Sequence, residues 1–278
     1  MKRLSRNIIR KKTLQRLVRT ALRRRNTDKG WRAIAELQMR GALPTLERAM
    51  ALARSPSWRR RSLGMDIAAQ LRQRRGSLVS DYALSETQEL LLAGLHDQHI
   101  EVVQAAVSGL GHRPHPAALD DLIRLSTHHN HMLRWSVTVS LGRYDAPAAI
   151  NALLRLAADT HDAVRDWATF CLGSLQSSDT PEIRAVLWKN LSDEDADVRG
   201  EALAGLAARG DARAVEYVLD HLNSECSVYE LDAAEKLATR RLLGPLQAIA
   251  NGLSCHERDG YWFSRLQNAI AACSAGTD

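Results

Sequence analysis

Eight of the ten histidines fall between His96 and His161, and two pairs among them, His112-x-x-His115 and His128-x-x-His131, can each offer two metal ligands. No cysteine or carboxylate pair at matching spacing completes a zinc pattern, so these rings read as a solvated edge, and no metal or cofactor is expected. The four cysteines, Cys171, Cys226, Cys255 and Cys273, lie inside or near helical stretches without a Cys-x-x-Cys spacing. That usage fits a reduced, cytoplasmic protein whose thiols pack as small hydrophobes. Gly-x-Ser-x-Gly, His-Glu-x-x-His and phosphate-cradling glycine loops do not occur in the sequence. No residue is singled out as catalytic, and binding is expected rather than catalysis.

Phosphate neutralisation is the chemistry that the first quarter of the chain could do. Residues 1–75 carry 22 Lys/Arg against 4 Asp/Glu, whereas residues 76–278 carry 16 against 28. The clusters Arg10-Lys11-Lys12, Arg23-Arg24-Arg25, Arg59-Arg60-Arg61 and Arg72/Arg74/Arg75 can meet phosphates, and Trp31 or Trp58 can stack on an exposed base. The first 25 residues hold eleven bases and no acid, with Leu4, Ile8, Leu14, Leu17, Val18 and Leu22 as an imperfect helical stripe. Such a segment suits phosphate or anionic lipid, a first helix that caps the fold, or, by composition alone, a transit peptide. No apolar run approaches the roughly 20 residues that span a bilayer.

These residues are positioned by repetition. Apolar pairs recur at Leu91/Leu92, Leu122/Ile123, Leu153/Leu154, Val186/Leu187, Val218/Leu219 and Ile249/Ala250, a step of about 31 residues with small insertions. A second ladder marks the end of each second helix at Leu110-Gly111, Leu141-Gly142, Leu172-Gly173, Leu206-Ala207 and Leu237-Ala238. First helices are expected to begin at Pro116, Pro147 and Pro181, where a missing amide hydrogen is harmless. A helix pair this short cannot bury its apolar stripe alone, so neighbours must stack into an all-α solenoid of antiparallel pairs. Four segments follow: a basic helical region over 1–75 with degenerate pairs from Trp31 to Leu71, a linker over 76–85, regular repeats over 86–251, and a C-terminal cap helix and tail over 252–278.

Second helices open on a polar turn and a Val-Arg step: Asp162-Ala-Val164-Arg165-Asp-Trp-Ala168, Asp195-Ala-Asp-Val198-Arg199-Gly-Glu-Ala202 and Met132-Leu133-Arg134. This core resembles the HEAT-like repeat of the phycobilin-lyase type, D-x-x-V-R-x-x-A, over about residues 86–250. The resemblance implies a right-handed α-solenoid and is nearly silent on activity. Val, the small Ala four residues on and Leu eight residues on share one helix face and should be core. Asp162 and Asp195 can cap the helix, and Arg134, Arg165 and Arg199 can pair with acids or carbonyls of adjacent repeats.

In this repeat family second helices line the concave face, which directs attention two, three and six residues beyond the motif Val. Those positions hold Trp135, Asp166, Trp167, Phe170 and Glu201, and, with Tyr229 in the Val place, Asp232 and Glu235. An acidic, aromatic face suits a basic protein partner, so the expected function is a non-catalytic scaffold, adaptor or inhibitor; a bacterial immunity protein neutralising a basic toxin is one instance. The alternative is a nucleic-acid binder, related to DNA repair, working through the Arg-rich end. Nothing in the sequence matches the active-site motif of the HEAT-like alkylpurine DNA glycosylases, and lyase activity would rest only on the shared repeat.

If Ala168 is in the stack, Ala168→Asp should bury an unpaired carboxylate and destabilise the fold by several kcal/mol. Hydrogen exchange is expected to show protection lost first around residues 148–206; uniform loss, or none, would contradict a nearest-neighbour array.

Overall fold

The computed structural model describes residues 13–254, 256 and 258–276. Leu4, Ile8, Arg10, Lys11, Lys12 and Cys255 lie outside the described residues. Two compact units divide the chain, one up to Leu122 and one from Ile123. Both are built from helix pairs, the all-α solenoid expected from the periodicity.

The first unit holds α1 (Leu14–Arg23), α2 (Asp28–Gln38), α3 (Leu43–Ala53), α4 (Trp58–Ala69), α5 (Leu84–Gly94) and α6 (Ile100–His112), and the boundary falls within α7 (Leu119–Leu125). Thr13 and Thr27 start α1 and α2 by accepting the amide hydrogens of Arg16 and Gly30, each at 3.3 Å. The apolar stripe of α1, Leu17, Val18 and Ala21, is buried with Ile34, Leu37, Leu46, Leu63, Ile67 and Leu71. The segment read as a linker over 76–85 holds more structure than that. Strands β1 (Arg72–Arg75) and β2 (Leu78–Asp81) form an antiparallel hairpin, and α5 begins at Leu84. Gly76, at φ 63°, supplies the left-handed first position of its two-residue turn.

Arg113, at the C-cap of α6, explains why that hairpin is ordered. Its side chain is 2 % exposed. Nε donates to the Ala69 carbonyl at 3.1 Å, and Nη1 to Thr87 Oγ1 at 2.6 Å and the Tyr82 carbonyl at 3.4 Å. Nη2 donates to the Leu71 carbonyl and, at 3.1 Å, to Asp81 Oδ1. Burial pulls the Arg113 guanidinium below its ordinary pKa, with Asp81 opposing. One side chain thus joins the end of α4, the hairpin, α5 and α6.

The second unit continues with α8 (His131–Leu141), α9 (Pro147–Leu156), α10 (Asp162–Phe170) extended by a π turn at Cys171–Leu175, α11 (Pro181–Asn190) and α12 (Ala196–Ala208). It closes with α13 (Arg213–His221), α14 (Val228–Leu237), α15 (Leu243–Gly252) and α16 (Gly260–Ala275). Pro147 and Pro181 open α9 and α11, and Pro116 opens the short 3-10 turn that leads into α7. Second helices stack in sequence, α8 on α10, α10 on α12, α12 on α14 and α14 on α16. Val164, Ala168 and Leu172 are fully buried in that stack.

Two of the motif arginines, Arg134 and Arg165, and with them Arg61 of α4, clasp the next repeat. Arg61 forks onto Asp97 at 2.6 and 2.8 Å, Arg134 onto Asp159 at 2.6 and 2.7 Å, and Arg165 onto Asp193 at 2.8 Å twice. Each fork leaves Nη1 for the carbonyls just before its own helix, as with Arg134 to His128 at 2.8 Å and Arg165 to Asp159 at 3.0 Å; Arg199 makes the same contact with Asp193 at 2.8 Å without forking onto an acid. The acid in turn accepts the amide hydrogen two residues on: His99, His161 and Asp195, each at 2.9 Å. Arg61 and Arg165 hold Asp97 and Asp193 below the ordinary carboxylate range. Asp195 caps α12 as expected, accepting from Asp197 and Val198. Asp162 does not cap α10: His161 holds the N-cap place, and Asp162 accepts from the adjacent Ala163 amide at 2.7 Å and lies 3.0 Å from His161 Nδ1.

Arg113→Met keeps most of the stem volume but leaves the buried carbonyls of Ala69 and Leu71 and the buried Thr87 hydroxyl without that donor, so a loss of about 3–5 kcal/mol is expected in urea unfolding. Amide exchange should rise first at the hairpin; a loss below about 1 kcal/mol would show that Arg113 does not hold these elements together.

Candidate functional site

Within the second unit, α8, α10 and α12 bring most of the expected face together. The Trp135 and Trp167 rings meet edge to face, centroids 5.8 Å apart at 90°, and Trp167 meets Phe170 in the same way at 5.5 Å and 86°. All three are half-buried. Edge-to-face contacts of this kind fix ring orientation and leave part of each ring to a partner.

Asp166 and Glu201 flank these rings. Burial pushes the Asp166 carboxyl up to about 6, helped by the negative charges of Asp197, Asp195 and Asp162. Among the described residues no arginine or lysine forms an ion pair with Asp166 or Glu201. Glu201 is also raised, by burial and then by Asp166, although it accepts a hydrogen bond from the Tyr229 hydroxyl at 3.3 Å. Tyr229 reaches that carboxylate over Gly200, where a Cβ would stand 2.2 Å from the Tyr229 ring, so only glycine leaves room for it. Beneath the face lies Cys171, fully buried and pushed up to about 12 by burial and the two carboxylates, hence an inert thiol.

Asp232 and Glu235 do not stand free as expected. Both clasp Arg265 of α16 at 2.5 Å, so their charge is satisfied inside the unit. Sequence reasoning missed Arg265 because it lies outside the regular repeat, and missed Asp197, which the positional rule skips. Of the histidines, His131 stacks on His161 at 4.0 Å, and the His128 and His129 rings lie tilted at 32° with centroids 4.2 Å apart. Among the described residues no group of three or more His, Cys, Asp or Glu is placed to hold a metal ion.

The basic residues separate in the same way. Arg25 is engaged by Asp66 at 2.8 Å and Ser62 at 2.5 Å, and Arg61 by Asp97, so neither is a free cation. Trp58 stacks on His99 at 5.9 Å and carries the Arg59 guanidinium 5.1 Å from its centroid. Arg23, Arg24 and Arg60 are exposed, as is Trp31. Arg10, Lys11 and Lys12 fall outside the described residues.

Residues 89–173 and 156–238 match the family described as HEAT repeats, together more than half of the chain. The chain belongs to the HEAT-repeat family. Protein YibA of Escherichia coli (strain K12) is 32 % identical over 93 residues, which are 33 % of this chain and 32 % of that protein. The matched segment spans about a third of that relative's length. A crystal structure of YibA superposes on this HEAT-repeat protein with a TM-score of 0.72 at 21 % identity, covering 94 % of this chain and 93 % of that one. A crystal structure of an engineered protein follows at a TM-score of 0.53 and 19 % identity, with 94 % and 78 % covered. Both likenesses are of fold. Among the described residues no helix is long and apolar enough to cross a membrane.

Folded Asp166 holds its proton up to about pH 6, whereas the unfolded carboxyl loses it near pH 4, so stability falls as pH rises between those values and the full penalty stands above pH 6. Asp166→Asn should therefore stabilise the protein at pH 7.5, by about 1 kcal/mol after solvent screening, and hardly at all at pH 4. Equal melting shifts at both pH values would mean that the carboxyl is not raised.

Proposed function

We propose that this HEAT-repeat scaffold is non-catalytic and binds a basic protein through the face of Trp135, Asp166, Trp167, Phe170 and Glu201, acting as an adaptor or an inhibitor of the toxin-immunity kind. The observation that carries the reading is the pairing of a fixed aromatic trio with two half-buried carboxylates held above their ordinary range and, among the described residues, in no ion pair with an arginine or lysine. Leaving such groups unpaired destabilises the fold, and that arrangement is typical of functional sites. A cationic side chain from a partner would relieve it and lie against ring faces that bury area at low entropic cost. Asp232 and Glu235 are removed from the direct contact set by Arg265 and serve to hold α16 on α14.

The partner's cation would lower the Asp166 pKa, so binding strengthens as pH rises through about 6. An arginine-rich nonapeptide titrated into isotope-labelled protein should shift the Trp135 and Trp167 indole resonances first. Its affinity should fall at least about tenfold both in Asp166→Lys/Glu201→Lys and on moving from pH 7.5 to 5. Affinity unchanged by the double substitution would remove this face as the site.

A further inference from the structure

Five cations of α1 and the start of α2 stand round one open cleft of about 410 Å³: Arg16, Arg19, Arg23, Arg24 and Lys29. All five are exposed, and among the described residues none is in an ion pair. No acid precedes Asp28 in the sequence. The contrast with Arg25 and Arg61, each provided with its own aspartate, shows that the chain neutralises its arginines where they serve the fold. Arg16, Arg19 and Arg23 follow one another at i, i+3 and i+7 on one side of α1, a spacing at which like charges destabilise a helix unless an anion lies along it.

We propose that this cleft holds the phosphate backbone of a nucleic-acid duplex, without reading its sequence. The three guanidinium groups extend over about 10 Å of helix, long enough to meet successive phosphates, and the guanidinium fork matches phosphate oxygens two at a time. Everything else that lines the cleft is polar, with Thr13 and Gln15 as further donors. No ring is there to stack on a splayed base, which separates the site from single-strand grooves, and Trp31, though 52 % exposed, is not in its wall. No apolar anchor is there for a protein hot spot. Leu17, Val18 and Ala21, which an amphipathic helix would bury in lipid, are already buried in the first unit.

The test is fluorescence anisotropy of the full chain with a labelled 20-base-pair DNA duplex, the matching single strand, and vesicles of phosphatidylserine and phosphatidylcholine. Five phosphate contacts predict a salt slope of about 4.5, hence an affinity loss of about 500-fold between 50 and 200 mM salt. Arg16→Gln/Arg19→Gln/Arg23→Gln, at exposed positions with an unchanged melting midpoint, should lower the slope by about 2.7 and weaken duplex binding at 50 mM salt by at least tenfold. Lys29→Gln alone should lower it by about 0.9, which keeps the proposal testable should the triple variant be unstable. Duplex binding unaffected by these substitutions, tighter binding of the single strand, or preference for the vesicles would each overturn it.

Discussion

The fork of an arginine on an aspartate one repeat away sets the register of this fold. Apolar burial of Val, Ala and Leu along each second helix supplies area, yet area alone lets two helices slide or rotate against each other. A planar guanidinium on a carboxylate admits one geometry. At Arg61, Arg134 and Arg165 the same side chain also closes carbonyls before its own helix, so helix start and neighbour are fixed together. The partial burial of these pairs, with side-chain exposures between 9 % and 19 %, shields them from the screening that weakens surface ion pairs. The alignment of α8, α10 and α12, and with it the meeting of Trp135, Trp167 and Phe170, follows from these clasps.

Much of this was legible. The 31-residue step gave the helix pairs, the Val-Arg step gave Arg134 and Arg165 but not Arg61, which stands among the basic clusters read as phosphate contacts, and the place three residues beyond the motif Val gave Trp167 and Glu201. The aspartate partners were not read, although Asp97, Asp159 and Asp193 each stand two residues before His99, His161 and Asp195 in one register. Where that register holds Val103 in place of the arginine it holds His128 in place of the acid, an exchange visible in the sequence. Arg113, Arg209 and Arg240 also share a place, three residues after the closing leucine, and each reaches backbone carbonyls: Arg209 those of Leu172 and Gly173 at 2.6 Å, Arg240 that of Gly276 at 3.1 Å. Their contacts between repeats link residues 31 or more apart and have no local signature, whereas the 3.6-residue period does.

Charge in this chain takes two physical roles that composition could not separate. Arginines that meet aspartates inside a unit contribute to the fold, and those of α1 do not. Acids show the same division: Asp232 and Glu235 are satisfied by Arg265, while Asp166 and Glu201 sit half-buried against rings and each other. A count of 28 acids beyond residue 75 predicts a negative surface, but only the pairing reveals which carboxylates carry uncompensated charge.

The clasp also bears on how such a chain can change length. The α9–α10 unit bears both an arginine directed forward, Arg165, and an aspartate directed back, Asp159, so excising or duplicating that unit leaves complementary ends at the new junction. Gain or loss of 31 residues in frame is then a small perturbation, whereas a shift of a few residues breaks a charged contact on either side. Where the series runs out, at Arg199, the place five residues before Tyr229 holds Ser224, and it is the neighbouring Asn223 that accepts an amide hydrogen two residues on, from Glu225 at 2.8 Å, without bringing a carboxylate. The contact of α14 with α16 is held by Arg265 on Asp232 and Glu235 instead, a pairing that does not follow the repeat register.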